Sequence, residues 1–145
     1  MDEEAKLKKL ARESSHIIYE TSSVFPFQLF PDRIIIDENK VTVSRREIFF
    51  KRVFSIMYSD ILTVRVNRGI IFAAIEFEVK RLGYQIRPVT YLWPKEASRA
   101  KKFIMGLCEA KREGVDMSKL TVDQIKGRLE EIGESQPQDE AESLF

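Results

Sequence analysis

Apolar positions recur with a helical period near the two ends of the chain and with a period of two through its middle. Over residues 2–20, Leu7, Leu10, Ala11, Ile17 and Ile18 form one stripe, interrupted by Ser14, with Lys6, Lys8, Lys9 and Arg12 on the other faces. This predicts an amphipathic helix within an N-terminal segment, residues 1–24. Its apolar face is narrow and it opens on the acids Asp2 to Glu4, which favours packing on its own domain or on a second copy over lying in a membrane. The pattern then changes. In "VFPFQLFPDRIIID", Pro26 and Pro31 forbid a helix interior. An extended lead-in is expected, with Phe25, Phe27, Leu29 and Phe30 plugging the edge of a sheet.

"RIIID" reads as the first strand, "DENK" as a turn with Asn39 able to adopt a left-handed conformation, and "KVTVSRR" as the next strand. Further strands are predicted at 53–59, 61–67, 70–80 and 84–93, all rich in β-branched and aromatic residues, with Arg68-Gly69 and Leu82-Gly83 as turn signals. In "IEFEV", Glu76 and Glu78 alternate with apolar residues and fall on one solvent-facing row. A helix begins at Pro94. Ala97, Ala100, Phe103, Ile104, Leu107 and Cys108 share its apolar face, and Gly114 ends it. A shorter helix is predicted over 121–132, opened by Thr121 and Gln124 at capping-box spacing. The polar, acidic remainder, 133–145, is expected to be disordered.

The links between strands are too short for crossover helices, so the sheet should be antiparallel. The expected fold is mainly β with flanking helices: a small antiparallel barrel, which hides strand edges, capped by the helix that follows the last strand.

This order of elements resembles the pleckstrin-homology-like fold, in particular small bacterial PH-like proteins of uncharacterised function. The resemblance covers Phe25 to Gly114. It rests on "FPFQLFPDRIIID", "SRREIFF", "SDILTVRVNRG" and "VTYLWPKEASRAKKFIMGL". It implies a domain that binds membranes, peptides or other subunits and does no catalysis. Two features depart from the family pattern, in which phosphoinositide-binding members carry alternating bases on the first hairpin and eukaryotic members usually keep a Trp inside the terminal helix. Here the first turn is "DENK", Arg45 and Arg46 are adjacent and so face opposite ways on a regular strand, and Trp93 precedes the helix.

One stretch carries the candidate site. Val41 and Val43 are odd-numbered inward positions, whereas Phe54, Ile56 and Tyr58 are even-numbered ones. A regular strand cannot change parity, so a turn or bulge must fall between about 45 and 53. Ile48, Phe49 and Phe50 lie there, and three consecutive apolar residues cannot all face inward, so at least one is expected to be exposed. Arg45, Arg46, Lys51 and Arg52 flank them.

Composition and charge then narrow the function. Hydrophobic residues are 43% of the 145, enough for a packed core. A single cysteine rules out an internal disulfide. The N-terminus lacks the apolar stretch of a secretory signal, and no run approaches the roughly 18 apolar residues of a spanning helix. A cytoplasmic protein is expected, at most peripheral at the inner face of a membrane. The net charge is +1, yet residues 25–114 hold 17 basic and 10 acidic side chains, and residues 115–145 hold 3 and 8. The basic body suits anionic partners.

Candidate chemistry is sparse. His16 and Cys108 are the only residues of their kinds and fall on different predicted helices, zinc ligands are lacking, and no glycine-rich phosphate loop occurs. No enzyme, cofactor or metal is expected. The sequence therefore points to a non-catalytic binding or adaptor module whose tip, Arg45, Arg46, Ile48, Phe49, Phe50, Lys51 and Arg52, meets an anionic membrane surface or another protein. The alternatives are a grip on single-stranded nucleic acid through the basic and aromatic residues, and a structural subunit that self-associates through its terminal helices. Against all of these stands burial of the tip under the N-terminal helix or under Phe25–Phe30.

Overall fold

The computed structural model describes residues 2–7, 17–80, 86–116 and 120–135. Asp2 caps a first helix, α1, described over residues 3–7, its carboxylate accepting the Ala5 N–H at 2.7 Å. Seven strands follow: β1 Ile17–Ser22, β2 Arg33–Asp37, β3 Lys40–Arg46, β4 Lys51–Met57, β5 Ile61–Arg68, β6 Ala73–Val79 and β7 Val89–Leu92. Two further helices follow among the described residues, α2 Pro94–Arg112 and α3 Val122–Ser135.

The strands form two antiparallel sheets, β1-β2-β3-β4 and β5-β6-β7. Antiparallel pairing agrees with the expectation from the short links; the closed barrel does not. A single 3-10 turn, Tyr58–Asp60, carries the chain from β4 into the second sheet, and among the described residues no strand of one sheet pairs with a strand of the other. The helix α2 packs against β1 and β2 of the first sheet and β5 and β6 of the second, so a helix rather than further strand pairing closes the core.

The core sits between these three layers. Ile34, Ile36, Val41 and Val43 line one sheet; Val64, Val66, Ile75 and Val89 line the other; Ala100, Phe103, Ile104 and Leu107 come from α2. The core also draws on residues on both sides of the 25–114 segment, namely Ile18 of β1 and Ile125 and Leu129 of α3. Tyr58 anchors the β2–β3 turn. Its buried hydroxyl donates to the carbonyls of Asp37 and Lys40, while the Asp37 carboxylate accepts the N–H groups of Asn39 and Lys40 at 2.7 and 2.8 Å. Burial holds the Tyr58 phenol protonated, far above the ordinary tyrosine range.

Three expectations need correction besides the barrel. The helix predicted over 2–20 does not reach its end, because Ile17–Ser22 is strand. "IIYETS" is β-branched and aromatic, which costs a helix and suits a pleated surface, and as β1 it buries Ile18 beside the isoleucines of β2. The rest of that predicted stripe, Leu10 and Ala11 with His16, lies outside the described residues. The segment 25–30 does not plug a sheet edge: Phe25, Phe27 and Leu29 are exposed. The helix predicted over 121–132 runs on through Ser135, into the segment expected to be disordered; residues 136–145 lie outside the described residues.

Candidate functional site: an apolar end built by three chain reversals

The β3–β4 hairpin reverses where the parity argument placed it. Pairing runs in unbroken register from Lys40↔Met57 to Arg46↔Lys51, and the Glu47 N–H then donates to the Phe50 carbonyl at 2.7 Å. All three apolar tip residues are exposed, with Phe49 at 87% the most so. Among the described residues nothing buries the tip. An open groove of about 610 Å³ separates it from the 25–30 loop, lined by Phe27, Leu29 and Phe30 on one side and Ile48, Phe49 and Phe50 on the other.

A second hairpin repeats the design. The β5–β6 turn is Gly69-Ile70-Ile71-Phe72, closed by Gly69 N–H donating to the Phe72 carbonyl at 2.7 Å. Ile70 is 87% exposed and Ile71 61%. A Cβ on Gly69 would meet that same carbonyl at 3.0 Å, which accounts for glycine there.

The 25–30 loop, which contains a cis Phe25–Pro26 bond, joins the two tips. Phe27 lines the groove beside the first tip and lies 4.9 Å, ring to ring, from Phe72 of the second. Phe72 also meets Tyr91 at 5.7 Å and Trp93 at 5.5 Å, distances at which tilted or edge-on rings attract. Tyr91 reaches this cluster through backbone strain. It sits in the left-handed region at φ 57°, in a bulge where four residues of β7 (Val89 to Leu92) span three of β6 (Ala73 to Ile75). The loop is tied down at its base: Ser23 Oγ donates to the Thr90 carbonyl and the Val24 N–H to the Tyr91 carbonyl, both at 2.8 Å.

The four flanking bases divide into two groups. Arg46, Lys51 and Arg52 are exposed, and among the described residues none of them makes an ion pair. Arg46 lies directly opposite Lys51, a like-charge pairing that weakens a hairpin. Arg45 is different. Its half-buried guanidinium donates to the carbonyls of Arg87 and Pro88 and lies 3.8 Å from Asp32. Arg45 thus ties the first sheet to the lead-in of β7 and leaves the proposed contact surface, because the strand turns adjacent residues to opposite faces. Burial raises the Asp32 carboxyl above the usual carboxylate range, against the opposing pull of Arg45 and Arg87.

The sparse candidate chemistry stays dispersed. Cys108 is buried on α2, and burial pushes its thiol up to about 11, so it remains protonated at neutral pH. Glu78 forms an exposed ion pair with Arg65 at 3.4 Å. Among the described residues no three His, Cys, Asp or Glu side chains gather to hold a metal ion, and no helix is long and apolar enough to cross a membrane.

Residue patterning found the first tip and missed the second, together with Phe25, Phe27, Leu29 and the Phe72–Tyr91–Trp93 cluster. A usable signal was present. Val66 is an even-numbered inward residue while Ala73 and Ile75 are odd, the same parity change that exposes Ile48 to Phe50. Comparison with known proteins yields no matching family model, no matching curated protein and no matching solved structure.

Proposed function

We propose that this chain is a non-catalytic docking module of the pleckstrin-homology-like kind, which binds reversibly to an anionic membrane surface through the apolar end of its two sheets. The succession of a four-stranded sheet, a three-stranded sheet and a core-closing helix supports the family reading. One observation carries the functional one: Ile48, Phe49 and Phe50 project from the turn of a well-registered hairpin, with Arg46, Lys51 and Arg52 beside them.

Apolar groups at a tip and bases at its base match the layering of a leaflet, with acyl chains beneath phosphates. Burying one phenylalanine contributes about 1.5–3 kcal/mol. A base near an anionic surface contributes about 1 kcal/mol. Two phenylalanines and three bases therefore suffice for weak, reversible association. A membrane is favoured over a protein partner because a projecting tip separated by an open groove from the exposed 25–30 loop needs no complementary shape in a fluid.

The test is co-sedimentation with vesicles of phosphatidylcholine, with and without phosphatidylglycerol, comparing wild type with Phe49→Ser/Phe50→Ser. The wild type is expected to sediment with anionic vesicles and the variant to bind more weakly by about a hundred-fold or more, with an unchanged melting temperature. Failure of folded wild type to bind removes the membrane reading.

A further inference from the structure

From the β5–β6 hairpin we infer a second insertion point: Ile70 and Ile71 enter the same membrane interface as Phe49 and Phe50, with the 25–30 loop seated between them and Trp93 at the polar boundary. The inference rests on the membrane reading above and adds a surface and an orientation to it.

Four observations support it. Both turns are four-residue reversals closed by the same backbone hydrogen bond, N–H of the first residue to the carbonyl of the fourth, at 2.7 Å in each. Both leave their apolar residues in solvent, where a monomer gains nothing from them. Phe27 connects them, packing on Phe72 behind the second tip and lining the groove beside the first. The strained Tyr91 and the neighbouring Trp93 support Phe72 from the other side, so the second tip stands on a braced aromatic base. A residue held in an uncommon backbone conformation beside an exposed apolar surface marks a surface that is built and held.

The committed occupant is the lipid interface. Three exposed bases flank the first tip and complement anionic headgroups around it, Arg46 and Lys51 on one face of the hairpin and Arg52 on the other. A half-exposed tryptophan with an apolar body and a polar N–H suits the headgroup level. Two tips bridged by a loop fix the tilt of the molecule on the surface, which a single tip cannot do.

Trp93 is the only tryptophan in the chain and serves as the reporter. With full-length protein and vesicles of phosphatidylcholine and phosphatidylglycerol, its emission is expected to shift to the blue on binding and to be quenched by lipids brominated near the headgroup. Ile70→Ser/Ile71→Ser is expected to weaken partitioning about ten-fold or more, with the melting temperature unchanged and the preference for anionic vesicles retained. If that variant binds within about two-fold of wild type while Phe49→Ser/Phe50→Ser does not bind, the second insertion point is wrong and the first stands. If wild type binds no vesicles, both are wrong. A blue shift that appears without lipid and grows with protein concentration overturns the inference in favour of a second copy on this end.

Discussion

Arg45 and Arg46 are neighbours of the same type, and the hairpin gives them opposite surroundings. Arg45 lies against Asp32 and two backbone carbonyls; Arg46 faces water beside the groove. Arg45→Gln should therefore cost about 2 kcal/mol of stability, since it leaves a buried carboxylate and two carbonyls short of partners. Arg46→Gln should cost no stability, and raise it slightly by relieving the repulsion from Lys51, while weakening binding to anionic vesicles. Urea melts of the two variants check the contrast. The pH dependence of the first is also determined. Burial raises the Asp32 carboxyl above its ordinary 3.8, so within the window between that value and the raised one the folded state holds a proton that the unfolded state has lost. Stability attributable to Asp32 thus falls as pH rises through that window. Removing the Arg45 charge, which pulls the other way, should raise the Asp32 value further and extend the window upward. A carboxyl NMR titration of Asp32 in wild type and Arg45→Gln reads this directly, and an unchanged value would contradict the role given to Arg45.

At the scale of elements, α2 and α3 meet at Gly106, where an added Cβ would lie 3.0 Å from both the carbonyl oxygen and a methyl of Leu129. Backbone cannot rotate away, so Gly106→Ala should separate the helices and destabilise by about 1–3 kcal/mol despite the better helix propensity of alanine. Gly127 lies within α3 with nothing near its Cβ direction, so Gly127→Ala should instead stabilise by about 0.5–1 kcal/mol. Thermal melts of the pair should shift in opposite directions. The Thr121–Gln124 box at the start of α3 was legible in the sequence and is formed: Thr121 N–H donates to Gln124 Oε1 at 3.0 Å and Gln124 N–H to Thr121 Oγ1 at 3.3 Å. So were β2, β3 and α2, whose periodicity reports a single buried face. The close approach at Gly106 was not legible, because an isolated glycine in a helical stripe carries no record of what crosses it. β1 was only partly legible: Ile17 and Ile18 fit a helical stripe, the β-branched and aromatic run they open favours strand, and pairing with β2, a contact across the chain, decides between the two. The barrel failed for the same reason. Strand count does not say whether the chain between β4 and β5 continues one sheet or starts another, and the tight turn at Tyr58–Asp60 starts another.

For the molecule as a whole, the placement of charge and apolar surface together decides which partner suits the apolar end. Three exposed bases are too few, and too close to Glu47, for a continuous nucleic-acid groove, yet they are enough to add to an apolar insertion. The two partners respond differently to salt. Binding to single strands would weaken with a log–log slope of about −0.7 per phosphate neutralised and would go on weakening as salt rises. Membrane binding has an electrostatic part that is screened, as the Debye length falls from about 10 Å at 0.1 M to about 3 Å at 1 M, and an apolar part that is not. Vesicle partitioning should therefore drop between low and moderate salt and then level off near the value for uncharged phosphatidylcholine vesicles. The plateau belongs to the apolar tips: Phe49→Ser/Phe50→Ser should lower it, whereas Arg46→Gln should reduce only the salt-sensitive part above it. A titration in which partitioning falls without a plateau, or in which the two variants exchange these effects, would show that charge rather than insertion holds the protein at the surface.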